Sequence, residues 1–130
     1  MEPSLLILLA EDETLIALTL QDALEEAGFA VHHAVAGMEA MAALEEHKQN
    51  LSGVITDIRL GGGADGWAIG RKARELVPHI PVVYMSGNAA HEHTAKGVPD
   101  SIMLQKPFAS AQVITAISAL LNALPPQQAT

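Results

Sequence analysis

The stretch "GVITDIRLGGGADGW", Gly53 to Trp67, decides how this chain is read. It opens as an apolar run suited to a buried strand, and Asp57 closes that run. Glycines follow: Gly61, Gly63 and Gly66 stand at the G-x-G-x-x-G spacing of a dinucleotide-binding turn. The two features ask for opposite ligands. Backbone amides bared by glycine welcome a pyrophosphate, whereas the Asp57 carboxylate repels one.

Outward from this stretch, apolar runs alternate with helical patterns. Leu5–Ala10 reads as a strand, and Thr14–Ala27 as a helix with Leu15, Leu18, Ala23 and Leu24 near helical spacing. Thr14 is its expected N-cap, and Gly28 lies just past its end. Strand Ala30–Ala34, helix Met38–His47, strand Gly53–Ile58 and helix Gly66–Leu76 follow. Strand Pro81–Met85, a weak polar helix near Ala89–Lys96, strand Ser101–Gln105 and an apolar helix Ser110–Leu124 complete the series. Five strands alternating with five helices through short loops predict a parallel sheet with helices on both faces. The runs "LLILLA", "GVITDI" and "PVVYM" are apolar throughout, as strands buried on both sides should be.

In such a sheet, ligands bind beyond the carboxyl ends of the strands. Glu11, Asp12 and Glu13 follow the first strand, and Asp57 ends the third. Ser86 follows the fourth, and Lys106–Pro107 the fifth. The predicted cleft therefore gathers carboxylates, one hydroxyl and one ammonium. Packed carboxylates repel one another, and a hard divalent cation such as Mg²⁺ relieves the repulsion. Charge neutralisation, a nucleophile and hydrogen-bond donors are the parts phosphoryl transfer needs, and an aspartate can be the nucleophile. A dinucleotide fits poorly. Its fingerprint belongs on the first strand–helix turn, which here is Glu11-Asp12-Glu13, and no acid stands about 20 residues beyond Gly66. The glycines are expected instead to form a flexible loop beside Asp57.

Composition narrows the classes further. A chain of 130 residues, 49% apolar and 17% charged, suits one globular domain and leaves no room for a separate nucleic-acid-binding domain. A net charge of −8 argues against nucleic acid, and Arg71, Lys72 and Arg74 read as a solvated helix face. There is no cysteine, hence no disulfide and no thiolate metal site. The N-terminus lacks the basic region of a signal peptide, and no apolar run approaches a membrane span. A soluble, cytoplasmic protein with no membrane partner is expected.

The motifs "LLILLAEDE", "GVITDI", "PVVYMSGNA" and "MLQKPF", in that order and each ending a strand, resemble those of the receiver domains of bacterial two-component response regulators. The likeness spans nearly the whole chain. It implies a flavodoxin-like (βα)5 fold, strand order 2-1-3-4-5, over residues 1–124, with 125–130 a flexible tail. It further implies that Asp57 takes a phosphoryl group from a phosphohistidine on a histidine kinase or phosphotransfer protein. Asp12 would bind Mg²⁺ directly and Glu11 through water. Asp57 and the Arg59 backbone carbonyl would complete the protein ligands. Ser86 and Lys106 would contact the phosphoryl group, Lys106–Pro107 would be cis, and Gly87 would leave room for the donor.

The chain also departs from that family. Gly61 stands where a proline is usual, and the loop on to Asp65-Gly66 is expected to be one residue longer than the family's. Met103 replaces the usual aromatic switch, while Arg59 and Asn88 occupy positions that tune dephosphorylation. Two related readings are a phosphorylation-independent scaffold and a receiver excised from a longer hybrid kinase. A haloacid-dehalogenase-type phosphatase would want an acid where Arg59 stands. A flavodoxin-like electron carrier suits neither the acidic first loop nor the 3% aromatic content.

The remaining features receive plainer readings. His91 and His93 are expected in solvent, and His32 and His33 carry no spacing that implies chemistry. Met38, Met41, Met85 and Met103 read as core, and Trp67 as packed against the third helix. Val113, Ile114, Ile117, Leu120, Leu121 and Leu124 form a stripe wider than one sheet face requires. A homodimer or downstream partner could use it together with the fourth helix region.

Overall fold

The computed structural model describes residues 4–125, so residues 126–130 of the expected tail lie outside it. In chain order the elements are β1 (Leu6–Ala10), α1 (Thr14–Glu26), β2 (Ala30–Ala34), α2 (Gly37–His47), β3 (Leu51–Asp57) and α3 (Gly66–Leu76). β4 (Val82–Ser86), α4 (His93–Lys96), β5 (Ile102–Gln105) and α5 (Ser110–Asn122) follow. All strand pairs are parallel, in the order β2-β1-β3-β4-β5. This is the flavodoxin-like arrangement expected from the sequence.

Strand alternation builds two cores, one on each side of the sheet. Leu8 and Ala10 of β1, Val54 of β3 and Val82 and Tyr84 of β4 join α2 and α3. Ile7 and Leu9, Ile55, and Val83 and Met85 join α1 and α5. Nearly all these residues are sealed from solvent, and each large one contributes about 1.5–3 kcal/mol of burial. The register then brings the strand ends level. Ala10 lies beside Thr56, Asp57 beside Met85, and Ser86 beside Gln105.

Several local expectations fail. In α1 the buried residues are Ala17, Leu20 and Leu24, whereas Leu15 is 80% and Leu18 52% exposed. At 100° per residue, Leu15 and Leu18 point away from the Leu20–Leu24 face, and apolar character alone does not mark the inward side. Thr14 is not the N-cap either. That position is Glu13, and no side chain caps it. Gly28 does end the helix in the left-handed region, at φ 99°, its N–H bonded to Glu25 O at 3.0 Å.

The fourth helix shrinks to a 3-10 turn, Ala90–Glu92, and four α-helical residues. Met38, expected in the core, is 73% exposed. His93 is half-buried, contrary to expectation, because its ring faces Trp67 and Tyr84 at centroid distances of 6.5 and 5.8 Å. Its Nε2 also lies 2.8 Å from Ser101 Oγ. The glycine segment is no loose loop: it is bonded to α2 through Gly61 and Gly62.

Candidate functional site

The β1 end turns Glu11 inward and Asp12 outward. Glu11 is fully buried, and Asp12 is exposed. The Glu11 peptide is held on both sides: its N–H donates to Ala34 O at 3.1 Å, and its carbonyl oxygen lies 2.8 Å from His33 Nε2. One carboxylate oxygen accepts from Glu13 N–H at 3.1 Å, and the other accepts from Lys106 Nζ at 3.1 Å. Lys106 reaches Asp57 Oδ2 at the same 3.1 Å. A single ammonium therefore bridges two buried carboxylates, with the chain approaching from the far end of β5 through a cis Lys106–Pro107 bond.

The electrostatics follow from this crowding. Burial, reinforced by the nearby Asp57 charge, pushes the Glu11 carboxyl up to about 7, against the lowering effects of the Glu13 amide and Lys106. Burial by itself would lower Lys106. The bond to Asp57 and the charges of Asp57 and Glu11 outweigh it and raise the ammonium above its ordinary value. Lys106 thus stays charged throughout the neutral range.

Glu11, Asp12 and Asp57 each offer one carboxylate oxygen, and these lie within 4.8 Å of one another. Three hard anionic oxygens so close, with one ammonium between two of them, match the preference of a divalent cation for oxygen ligands. A cleft of about 440 Å³ opens above them, lined by Asp12, Glu13, Asp57, Arg59, Ser86 and Lys106, with Gly87 and Asn88 at its rim. A Cβ at Gly87 would meet nothing within 4 Å, so this side of the cleft is open.

Ser86, only 2% exposed, accepts from the backbone N–H groups of Asn88 and Ala89 at 3.2 and 2.7 Å. Both bonds use hydroxyl lone pairs, which leaves its hydrogen to donate into the cleft. Every sequence-predicted site residue therefore gathers at one sheet edge: Asp12, Asp57, Arg59, Ser86 and Lys106 on the cleft wall, and Glu11 beneath Lys106. Sequence reasoning missed His33. No spacing singled it out, because its partner is a backbone carbonyl 22 residues away.

Residues 7–118 match the response regulator receiver domain family. The chain belongs to that family. It is 33% identical over 119 residues to the response regulator receiver protein CpdR of Brucella abortus, covering 90% of this chain and 97% of that one. A receiver protein of Sinorhizobium medicae superposes with a TM-score of 0.88 at 48% identity, covering 92% of this chain and 96% of the other. The receiver domain of a Pseudomonas aeruginosa sensor histidine kinase, solved with a magnesium ion in its active-site cleft, shares the fold. Its TM-score is 0.77 at 21% identity, covering 92% and 99% of the two chains. Two further relatives, a sensor kinase and a transcriptional regulator, are much longer, and this receiver spans 12% and 23% of their lengths. Among its described residues, no helix is long and apolar enough to cross a membrane.

Proposed function

We propose that this receiver accepts a phosphoryl group on Asp57 from a phosphohistidine of a histidine kinase or phosphotransfer protein, and that the phosphorylated form switches partner binding or relays the group onward. The observation that carries the reading is Lys106 bridging Glu11 and Asp57 at 3.1 Å each, beneath an open cleft. Buried, mutually perturbed charges facing a cleft mark a functional site, and a phosphoacceptor has to face such an opening to meet its donor.

Lys106 holds Asp57 Oδ2, so Oδ1 keeps a free lone pair for attack. That pair forms the new O–P bond as the P–N bond to the donor imidazole breaks, and the bonding electrons return to the imidazole nitrogen. Lys106 and the Ser86 hydroxyl then face the equatorial phosphoryl oxygens, whose charge they offset. Glu11, Asp12, Asp57 and the Arg59 carbonyl would hold Mg²⁺. When bound, the ion supplies neutralising charge to carboxylates and phosphoryl oxygens that otherwise repel one another.

The donor protein docks on the α1 side. There the exposed Leu15 lines an apolar groove of about 450 Å³ with Ile16, Leu20, Pro107 and Phe108, and Lys106 belongs to both groove and active cleft. A downstream partner, or a second copy of the chain, suits the opposite edge. As the edge strand of the sheet, β5 leaves Ile102 and Leu104 lining a shallow depression with Ala116 and Ala119 of α5. The cytoplasm is the compartment proposed, where phosphohistidine donors of this kind act.

Incubation with acetyl phosphate and Mg²⁺ should add one phosphoryl group, seen by intact-mass spectrometry and absent in Asp57→Asn. Labelling undiminished in that variant would move the acceptor elsewhere. Failure of the wild-type protein to bind Mg²⁺ would favour the scaffold reading.

A further inference from the structure

The glycines of the opening motif have a structural role that neither a dinucleotide nor the phosphoryl cleft explains. α2 begins without a side-chain cap, because its N-cap residue is Ala36. The first amides of a helix have no partner within it and need one from outside. Here the Gly37 N–H donates to the carbonyl of Gly61 at 3.0 Å, and the Met38 N–H to that of Gly62 at 2.8 Å. The segment that follows the phosphoacceptor therefore caps α2 with its own backbone.

Glycine is needed on both sides of this contact. A Cβ on Gly37 would collide with the Ala64 carbonyl, and one on Gly63 would stand 2.7 Å from Met38 N. Gly62 and Gly63 also lie in the left-handed region, at φ 65° and 117°. The other end of the strap is anchored at the site. Gly66 N–H donates to Ile58 O at 2.8 Å, and a Cβ there would strike the Asp57 carbonyl. Only Leu60 separates Arg59, whose carbonyl is a proposed metal ligand, from the first capping carbonyl at Gly61. Arg59 and the two capping carbonyls therefore lie on one four-residue stretch of backbone, Arg59–Gly62.

We infer that the glycine strap is a conformational link: occupancy of the Asp57 site by metal and phosphoryl group resets the capping bonds of α2, and with them the presentation of the exposed Val35 and Met38 beside its first turn. This rests on the phosphoacceptor reading and names where that site's state is reported. The route fits the local architecture, since β5 carries Met103 rather than an aromatic ring and α4 is a single turn. Val35 and Met38, 49% and 73% exposed, are apolar groups standing in solvent at the end that would move.

The test follows backbone amides by ¹⁵N NMR and hydrogen exchange while Mg²⁺ and then beryllofluoride, an inert phosphoryl mimic, are added. Ser86 and Lys106 amides report occupancy of the site, and Gly37 and Met38 amides report the strap. A capping bond of ordinary strength predicts that exchange at Gly37 and Met38 changes roughly two- to tenfold on saturation. Gly63→Ala should speed exchange at both amides in the free protein and abolish their response, while Ser86 and Lys106 still respond. Gly61→Ala, whose Cβ meets nothing within 4 Å, should behave as wild type.

Saturation at Ser86 and Lys106 with Gly37 and Met38 unmoved in the wild type overturns the link, and that measurement needs no variant to fold. A full α2 response in Gly63→Ala overturns it equally. Silence at Ser86 and Lys106 is a different result: it removes the phosphoacceptor reading, and the link with it.

Discussion

Glu11→Gln in the metal-free protein isolates the cost of the buried acid. The folded protein holds the Glu11 carboxyl at about 7 against an ordinary 4.5, chiefly because burial disfavours its charge. Between those values the folded state binds a proton that the unfolded chain has already lost, so stability falls as pH rises. The contribution is fully present below about pH 4.5 and is lost by the time pH has passed about 7. At about 1.36 kcal/mol for each pH unit, the whole effect is about 3 kcal/mol. Glutamine keeps the shape but cannot ionise, and its single carbonyl oxygen can accept from Lys106 or from the Glu13 N–H, not from both as the Glu11 carboxylate does. Urea unfolding in EDTA should therefore show the variant below the wild type at pH 4.5 by the worth of one hydrogen bond, roughly 1 kcal/mol, and gaining on it by up to about 3 kcal/mol as pH rises past 7. Excess Mg²⁺ should shrink or reverse that advantage, since the wild type alone keeps the full acid set. A difference independent of pH from 4 to 8, or one favouring the wild type as pH rises without metal, would refute the reasoning.

Three further outcomes follow from the same geometry. Lys106→Ala leaves two buried carboxylates without their shared cation; at neutral pH it should cost about 3–5 kcal/mol in denaturant unfolding and slow acetyl phosphate labelling about a hundredfold. His33→Leu strands the Glu11 carbonyl and should weaken Mg²⁺ binding by titration calorimetry, whereas His33→Gln, which keeps an N–H donor, should recover most of the affinity; equal losses in both variants would deny the bond a role. Gly70→Ala drives a Cβ into the Tyr84 hydroxyl, which accepts from Val98 N–H at 3.1 Å, and should destabilise by about 1–3 kcal/mol while leaving labelling intact.

Much of the architecture was legible because it rests on local periodicity. β2 and α3 occupy the residues that turn signals and apolar spacing predict, Ala30–Ala34 and Gly66–Leu76. Asp65, whose carboxylate accepts from Ala68 N–H at 2.9 Å, caps α3 within three residues of sequence. The site was legible for a related reason. In a parallel sheet every strand runs the same way, so residues that end different strands must meet. The α1 helix shows the limit: leucines at 15, 18, 20 and 24 are equally apolar, and only packing against β1 and α5 selects Leu20 and Leu24 for the interior.

By itself the sequence determined the strand count, the parallel sense of the strands and the gathering of acids, hydroxyl and lysine at one edge, because each depends on residues near one another in the chain or on a topology with few alternatives. The strand order was implied by the resemblance to receiver domains. Tertiary structure alone decided that Glu11 is buried while Asp12 is exposed, that His33 holds the Glu11 peptide and that His93 joins Trp67 and Tyr84. It also turned the glycine run from an expected loose loop into the cap of α2. Apart from the Tyr84–His93 contact, nine residues apart, those outcomes rest on contacts between segments about 20 or more residues apart, and no spacing pattern within a helix or strand carries that information.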